Sequence, residues 1–375
     1  MNEKEIGELR RRITPDKTSI NRIRGALVSE TGEILSTFNS TLGLLSERES
    51  EELLSIIKKT LSGAHGRNLI DIDFSTQQVL AGEEHKLLSE LRSSSLENDE
   101  AANELYKKII ESIQIEGSYL ILLASDRYDV FAYGSDGKKN EDSATVFSYF
   151  LCSVCPIKLT KPALSFYANE FHSIGASSVI ASPELGFMFP AFDDRTANIY
   201  GALLYTKDTY NSQQEFIDKL FKSEVPMPAG IQKETFDSIL GKTIAEECDM
   251  EVVCAVHERI CTMMEDHKAA KEPEPLMISK SHVKSVLSDC GVAEEKITAF
   301  DERFDESFGK YAEIPPKNII NTKKLEVKTP DVVINVNPER PYLIKTEVIN
   351  GTKYIMIRAE DDVTVNGVNI KITDR

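Results

Sequence analysis

Four residues at one place in the chain have the types that charge-handling chemistry needs. Asp193, Asp194 and Arg195 follow Phe192, and Glu184 stands nine positions before the first of them. Carboxylates so grouped could share Mg²⁺ or act as a general base, and the arginine could stabilise negative charge as it develops. They border the run Ser182-Pro183-Glu184-Leu185-Gly186-Phe187-Met188-Phe189-Pro190-Ala191-Phe192, with three phenylalanines and a methionine between prolines. Exposed, such a run is a surface for a partner or ligand. The competing reading is an aromatic core segment capped by an Asp–Arg ion pair at a strand end. His172 is the histidine near this cluster, and it reads as structural.

The second candidate is basic. Arg10, Arg11, Arg12, Lys17, Arg22 and Arg24 concentrate positive charge in the first 24 residues, which hold seven Lys/Arg against four Asp/Glu. They could meet nucleic-acid phosphates, or they could be the solvated end of a helix and the loop after it. Cys152-Ser153-Val154-Cys155 reads as a pair of core thiols, because residues three apart on a strand point to opposite faces. Cys254, His257 and Cys261 share a helix face. Seven residues advance a helix by about 10.5 Å, too far for both sulfurs to reach one zinc ion at ~2.3 Å each. Asp71 and Asp73 would face one side of a strand, where paired carboxylates can hold Mg²⁺; the preferred reading puts Ile70, Ile72 and Phe74 on a core and the acids in water. No phosphate-binding loop, dinucleotide fingerprint, nucleophile elbow, zinc-protease helix or EF-hand pattern is present. No metal site is expected outside the acidic cluster.

These residues sit in a chain of 375 residues with a net charge of −17, 41% hydrophobic and 28% charged, without tryptophan. That composition is globular, and the length predicts two or three modules. The acidity opposes broad contact with phosphate backbones while leaving room for a local basic site. The N-terminus has no apolar stretch, and the longest apolar runs are strand-sized, so neither a secretory signal nor a membrane span is expected. Six cysteines in such a chain read as reduced thiols. A cytoplasmic location follows as an expectation.

The elements that must position the candidates read as α+β. Residues 2–12 form an amphipathic helix, and Ile23–Val28 and Ile34–Phe38 form strands around Gly32. Ser46-Glu47-Arg48-Glu49 is a capping box, in which hydroxyl and carboxylate satisfy each other's free backbone donors. Strand-like Leu69–Phe74 is followed by helices near Glu83–Leu91 and Glu100–Ile113. A hairpin is read through Tyr119–Ala124, Asp126-Arg127 and Tyr128–Tyr133, ending at Ser135-Asp136-Gly137. More strands follow, among them Phe147–Ile157, Ala163–Tyr167, Gly186–Phe192 and Asn198–Thr206. This mixed α/β module spans 1–207, with its helices around a mixed sheet.

Residues 208–316 read as a helical module. Ser212-Gln213-Gln214-Glu215 is a second capping box there, and Lys268–Pro275 an acidic linker containing prolines. Residues 317–375 read as a small β unit of hairpins, with Asn350-Gly351 and Asn366-Gly367 as type I′ turns.

Several segments carry a resemblance. Lys4-Glu5-Ile6 with Leu9-Arg10-Arg11-Arg12, Cys155-Pro156-Ile157-Lys158, Glu184 to Arg195 with Asn198-Ile199-Tyr200, and Val365-Asn366-Gly367-Val368 resemble a bacterial family known only as domain of unknown function 4317. The resemblance runs over nearly the whole chain and implies no activity. The layout is also similar to that of nucleoid-associated proteins: a mixed module, a helical middle, a helix pair ending in an aromatic stripe, then a β tail with Tyr354-Ile355-Met356-Ile357. That likeness implies association with DNA.

The absence of catalytic motifs favours a non-enzymatic binding or scaffold protein. Its partner would be DNA, through Arg10, Arg11, Arg12, Arg22 and Arg24, or another protein, and a homo-oligomer is open. The alternative is a metal-dependent hydrolase or nucleotide-processing enzyme built on Asp193, Asp194, Arg195 and Glu184, with Mg²⁺ as its cofactor.

Overall fold

A computed structural model describes residues 1–133, 139–224, 226–244, 250–270, 276–321, 325–337, 340–359, 363–365 and 367–370. The expected turn at Ser135-Asp136-Gly137, residues 271–275 of the linker, and Asn366 lie outside the described residues. The fold is α+β, and the chain divides into two compact units, Met1–Ala229 and Gly230–Arg375.

In the first unit the elements run α1 (Glu3–Arg12), β1 (Arg22–Val28), β2 (Ile34–Thr41), α2 (Glu47–Lys58), β3 (Leu69–Asp73), α3 (Thr76–Ala81), α4 (Glu83–Ser93) and α5 (Asp99–Ile110). Then follow β4 (Tyr119–Tyr133), β5 (Lys139–Leu159), β6 (Ala163–Tyr167), β7 (Glu170–Ile174), β8 (Ser178–Ile180) and β9 (Leu185–Phe189). The unit closes with β10 (Ala191–Asp193), β11 (Thr196–Asn198), β12 (Gly201–Thr206) and α6 (Gln214–Leu220). Seven strands pair antiparallel in the order β2-β1-β4-β5-β9-β12-β3, and β8 adds to the end of β5.

Successive side chains of a strand point to opposite faces, so residue parity sorts the sheet into two cores. Ile121 and Leu123 of β4, Phe150 and Cys152 of β5, and Phe187 and Phe189 of β9 pack under α4, α5 and α6. Leu120 and Leu122, Tyr149 and Leu151, and Met188 pack on the other face with Ile6 and Leu9 of α1 and Leu54 and Ile57 of α2. The result is three layers, helix–sheet–helix, around an antiparallel sheet. Close strand approach needs Gly186, where a Cβ would stand 2.3 Å from the Cys152 carbonyl oxygen.

Three expectations change. The chain does not turn at Asp126-Arg127: β4 runs straight through, because the Asp126 carboxylate is buried and bonded rather than free to close a turn. The capping box at Ser212 does not form. Gln213 is the N-cap, in the left-handed region at φ 55°, and makes no side-chain cap bond. Third, the first unit does not end at 207, because Phe216, Ile217, Leu220 and Phe221 fill its core beside Phe187. By contrast Ser46 and Glu49 form both bonds of their capping box.

The second unit holds α7 (Ala229–Ile244), α8 (Met250–Ala270), β13 (Ile278–Ser279), α9 (Lys280–Asp289), α10 (Glu294–Phe308) and β14 (Glu313–Ile314). Phe236, Val256, Leu287, Phe300 and Phe304 share its helical core. Lys268–Ala270, expected in the linker, form the end of α8. Three hairpins follow: β15–β16 (Leu325–Lys328, Val333–Val336), β17–β18 (Ile344–Ile349, Thr352–Ile357) and β19–β20 (Val363–Val365, Val368–Ile370). Asn350 and Gly351 both have positive φ between β17 and β18, as a type I′ turn requires.

Candidate functional site

The acidic motif is a hairpin turn. Asp193 pairs with Thr196 across β10 and β11, and Asp194 and Arg195 take the two central positions at φ 49° and 58°. Aspartate visits that region readily; arginine does so at a cost and must be held. The Arg195 guanidinium donates to Glu8 Oε2 at 2.8 Å and to the Phe131 carbonyl at 3.3 Å. Its backbone N–H meets Glu5 Oε1 at 3.4 Å. Glu5 also closes the capping box of Asn2 at the start of α1.

Asp193 accepts from the Asn198 amide at 2.6 Å and pairs with the Met1 ammonium at 2.6 Å. The same ammonium lies 3.4 Å from Asp71, whose other oxygen is 2.6 Å from His65 Nε2. Burial works to raise the Asp193 pKa, but the ammonium and the Asn198 amide outweigh it and hold the carboxyl below its ordinary value. The turn therefore clamps α1 to the sheet edge.

The four candidate residues do not converge. Glu184 precedes β9, beyond the far end of that strand from the hairpin turn, and pairs with Lys207 after β12 at 3.6 Å. It borders a polar cleft of about 650 Å³ with Asp208, Asn211 and Gln213. Five strand residues at ~3.3 Å each separate it from the turn region, too far for one ion. Asp194 is exposed and carries no ion pair among the described residues. Phe187, Phe189 and Phe192 are core, not surface, and the expected Asp–Arg cap is replaced by separate pairs with Met1 and Glu8. Among the described residues no three His, Cys, Asp or Glu side chains are grouped to hold a metal.

The arginines do not form one basic face either. Arg24 is 5% exposed and donates to the Leu96 carbonyl at 2.7 Å and to Asp99 at 2.8 Å. Arg22 pairs with Glu97 at 3.0 Å. Arg12 lies 4.0 Å over the Tyr128 ring and donates to the Arg127 carbonyl. Arg10 and Arg11, in the last turn of α1, keep charge without an ion pair among the described residues. Arg24 is turned into the fold while Arg12 and Arg22 are engaged nearer the surface, which sequence proximity could not show.

Three of the described thiols are held away from nucleophilic use. Cys152 and Cys155 are buried on opposite faces of the sheet, and burial raises both, Cys155 to about 12. Cys261 Sγ lies 3.6 Å from His257 Nδ1, while His257 Nε2 donates to the Asn321 carbonyl at 3.0 Å. Burial, then Glu265 and Glu258, push the Cys261 thiol upward, away from the reactive thiolate.

The surface feature that sequence reasoning missed is a ribbon. Ile157 to Leu159 pair with Ser178 to Ile180, Thr160 N–H bonds the Ser177 carbonyl, and Ala163 to Tyr167 pair with Glu170 to Ile174. One register thus runs from the sheet out to a two-residue turn at Ala168 and Asn169, both at positive φ. Eleven residues per strand make an arm roughly 36 Å long. Leu164, Phe166 and Phe171 share one face and are 68%, 59% and 73% exposed, with the two rings 4.9 Å apart. Leu159, Ile174, Val179 and Ile180 are exposed too. The turn lacks glycine, so the usual hairpin signal was absent. Alternation across Phe166 to Phe171 was the signal available.

Fold and surface together define a three-layer α+β body with an apolar two-stranded arm, followed by a helical unit with β hairpins. The family described as "Domain of unknown function (DUF4317)" matches residues 1–368, and the chain belongs to that family. The likeness to nucleoid-associated proteins finds no support beside that match. No curated protein matches the chain significantly.

Proposed function

We propose that the chain is a non-enzymatic scaffold protein that binds protein through the arm at residues 157–180. The observation that carries this reading is the row Leu164, Phe166 and Phe171, exposed on a ribbon whose two faces both meet solvent. A lone two-stranded hairpin is at best marginally stable in water. Large apolar patches rimmed by polar residues mark sites of protein contact. A protein partner fits better than DNA: the arm offers only Lys158 and Lys161 against Glu170, and three of the five proposed binding arginines, Arg12, Arg22 and Arg24, are engaged within the fold. A hydrolytic reading is weakened because Asp193 and Arg195 are engaged in clamping α1.

The test is photo-cross-linking in the producing cells. A photoreactive phenylalanine analogue at position 171 is expected to give discrete protein adducts. The same analogue at exposed Tyr311, in the second unit, is expected to give none of those bands. Absence of any protein adduct at 171, with the protein expressed and folded, would overturn the reading.

A further inference from the structure

We infer that the partner of the arm is a second copy of this chain, the two arms clasping each other about a two-fold axis; this rests on the protein-binding reading above. Area is the first argument. By register Leu164, Phe166, Phe171 and Val179 share one face and together expose on the order of 450 Å², about half the ~800 Å² each partner gives to a standard interface. Two such surfaces bury about 900 Å² together, the scale of a weak, reversible pair.

Charge is the second argument. The chain carries −17, so contact between two bodies is opposed by like charge. Screening confines that repulsion to about 8–10 Å at physiological ionic strength. Leu164, Phe166 and Phe171 stand beyond Leu159 by roughly 17–23 Å, about two screening lengths from the body. The ribbon itself is nearly neutral, with Lys158, Lys161 and Glu170 as its charged residues. Apolar association can therefore occur at the arm where it would fail at the body.

Symmetry is the third argument. A two-fold interface brings a surface against its own image, so the patch must be self-complementary. The Leu164, Phe166 and Phe171 face meets that condition: its one charged side chain by register, Lys158, stands at the base of the arm, so that antiparallel arms set it against the other tip and not against its own image. Ring pairing of Phe166 with Phe171 continues across the axis in offset or edge contacts, the geometry aromatic groups prefer.

Sedimentation equilibrium of the full chain across the micromolar range tests this. The expected mass is twice 42.0 kDa, and the double variant Phe166→Ser/Phe171→Ser is expected to dissociate at least roughly 100-fold more readily. Both positions are solvent-exposed in the single chain, so the variant should keep its melting temperature once monomeric. Wild-type protein that stays at 42.0 kDa, or a variant that pairs as tightly as wild type, would overturn the inference.

A cross-link from position 171 in the purified protein should map to residues 157–180 of the second copy. One that maps elsewhere on that copy overturns the clasp. Monomeric purified protein with a cellular adduct to a different protein would defeat self-pairing and leave the protein-binding reading standing.

Discussion

Asp126 is 1% exposed in the middle of β4, where its oxygens accept from the Ser19 backbone N–H at 2.7 Å and the Tyr149 hydroxyl at 2.8 Å. Burial raises its pKa, and these two bonds with nearby Arg12 only partly offset that. The folded chain then holds this proton more tightly than the unfolded chain. Stability accordingly falls as pH rises from the ordinary 3.8 through the raised folded value. Asp193 works in the opposite sense: its contribution is present above its ordinary value and is lost as pH falls through the lowered one.

Asp126→Asn keeps an acceptor for Ser19 and places a donor against the Tyr149 oxygen. Its stability at neutral pH should equal or exceed that of wild type. Asp126→Ala strands two buried groups and should cost about 2 kcal/mol or more. Urea unfolding followed from the ordinary 3.8 up to neutral pH checks both the order of the variants and the loss of that pH dependence in the asparagine variant. From sequence this residue suggested a turn, because an aspartate beside an arginine is turn-like until its partners are known.

At the scale of elements, α1 is held by its apolar face, with Ile6 and Leu9, and by a polar row. Glu8 takes the Arg195 guanidinium on one oxygen and the Tyr128 hydroxyl on the other. Glu8→Ala and Arg195→Ala should each loosen the helix, and the double variant should lose less than the sum. A coupling of about 1 kcal/mol is expected for this partly exposed pair. Amide hydrogen exchange in residues 3–12 should quicken in both single variants; no change in either would remove the clamp from the account. The amphipathic helix, the Ser46 capping box and most strands were legible because periodicity and capping are local. The hairpin of Asp194 and Arg195 was not, since both central residues are held at positive φ by partners far away in the chain.

Across the whole molecule, the boundary of the first unit falls after α6 because four apolar residues beyond 207 complete its core. A fragment of residues 1–229 should therefore unfold cooperatively. A fragment of residues 1–207 loses Phe216, Ile217, Leu220 and Phe221, uncovers Phe187, and should aggregate or melt without a sharp transition. Calorimetry and light scattering of the two fragments decide the point. Equal behaviour would return the boundary to 207.

The sequence by itself determined the α+β class, most elements, the facing of Cys152 and Cys155, and membership of the family. Those properties depend on residue type, on periods of two and 3.6, and on motifs along the chain. Only the tertiary structure decided that Glu184 stands apart from Asp193, that Arg24 is buried, that Arg195 fastens α1, and that residues 157–180 form an exposed arm. Each of those depends on which strands pair and which face a helix covers. Such long-range packing brings together residues that local pattern leaves independent.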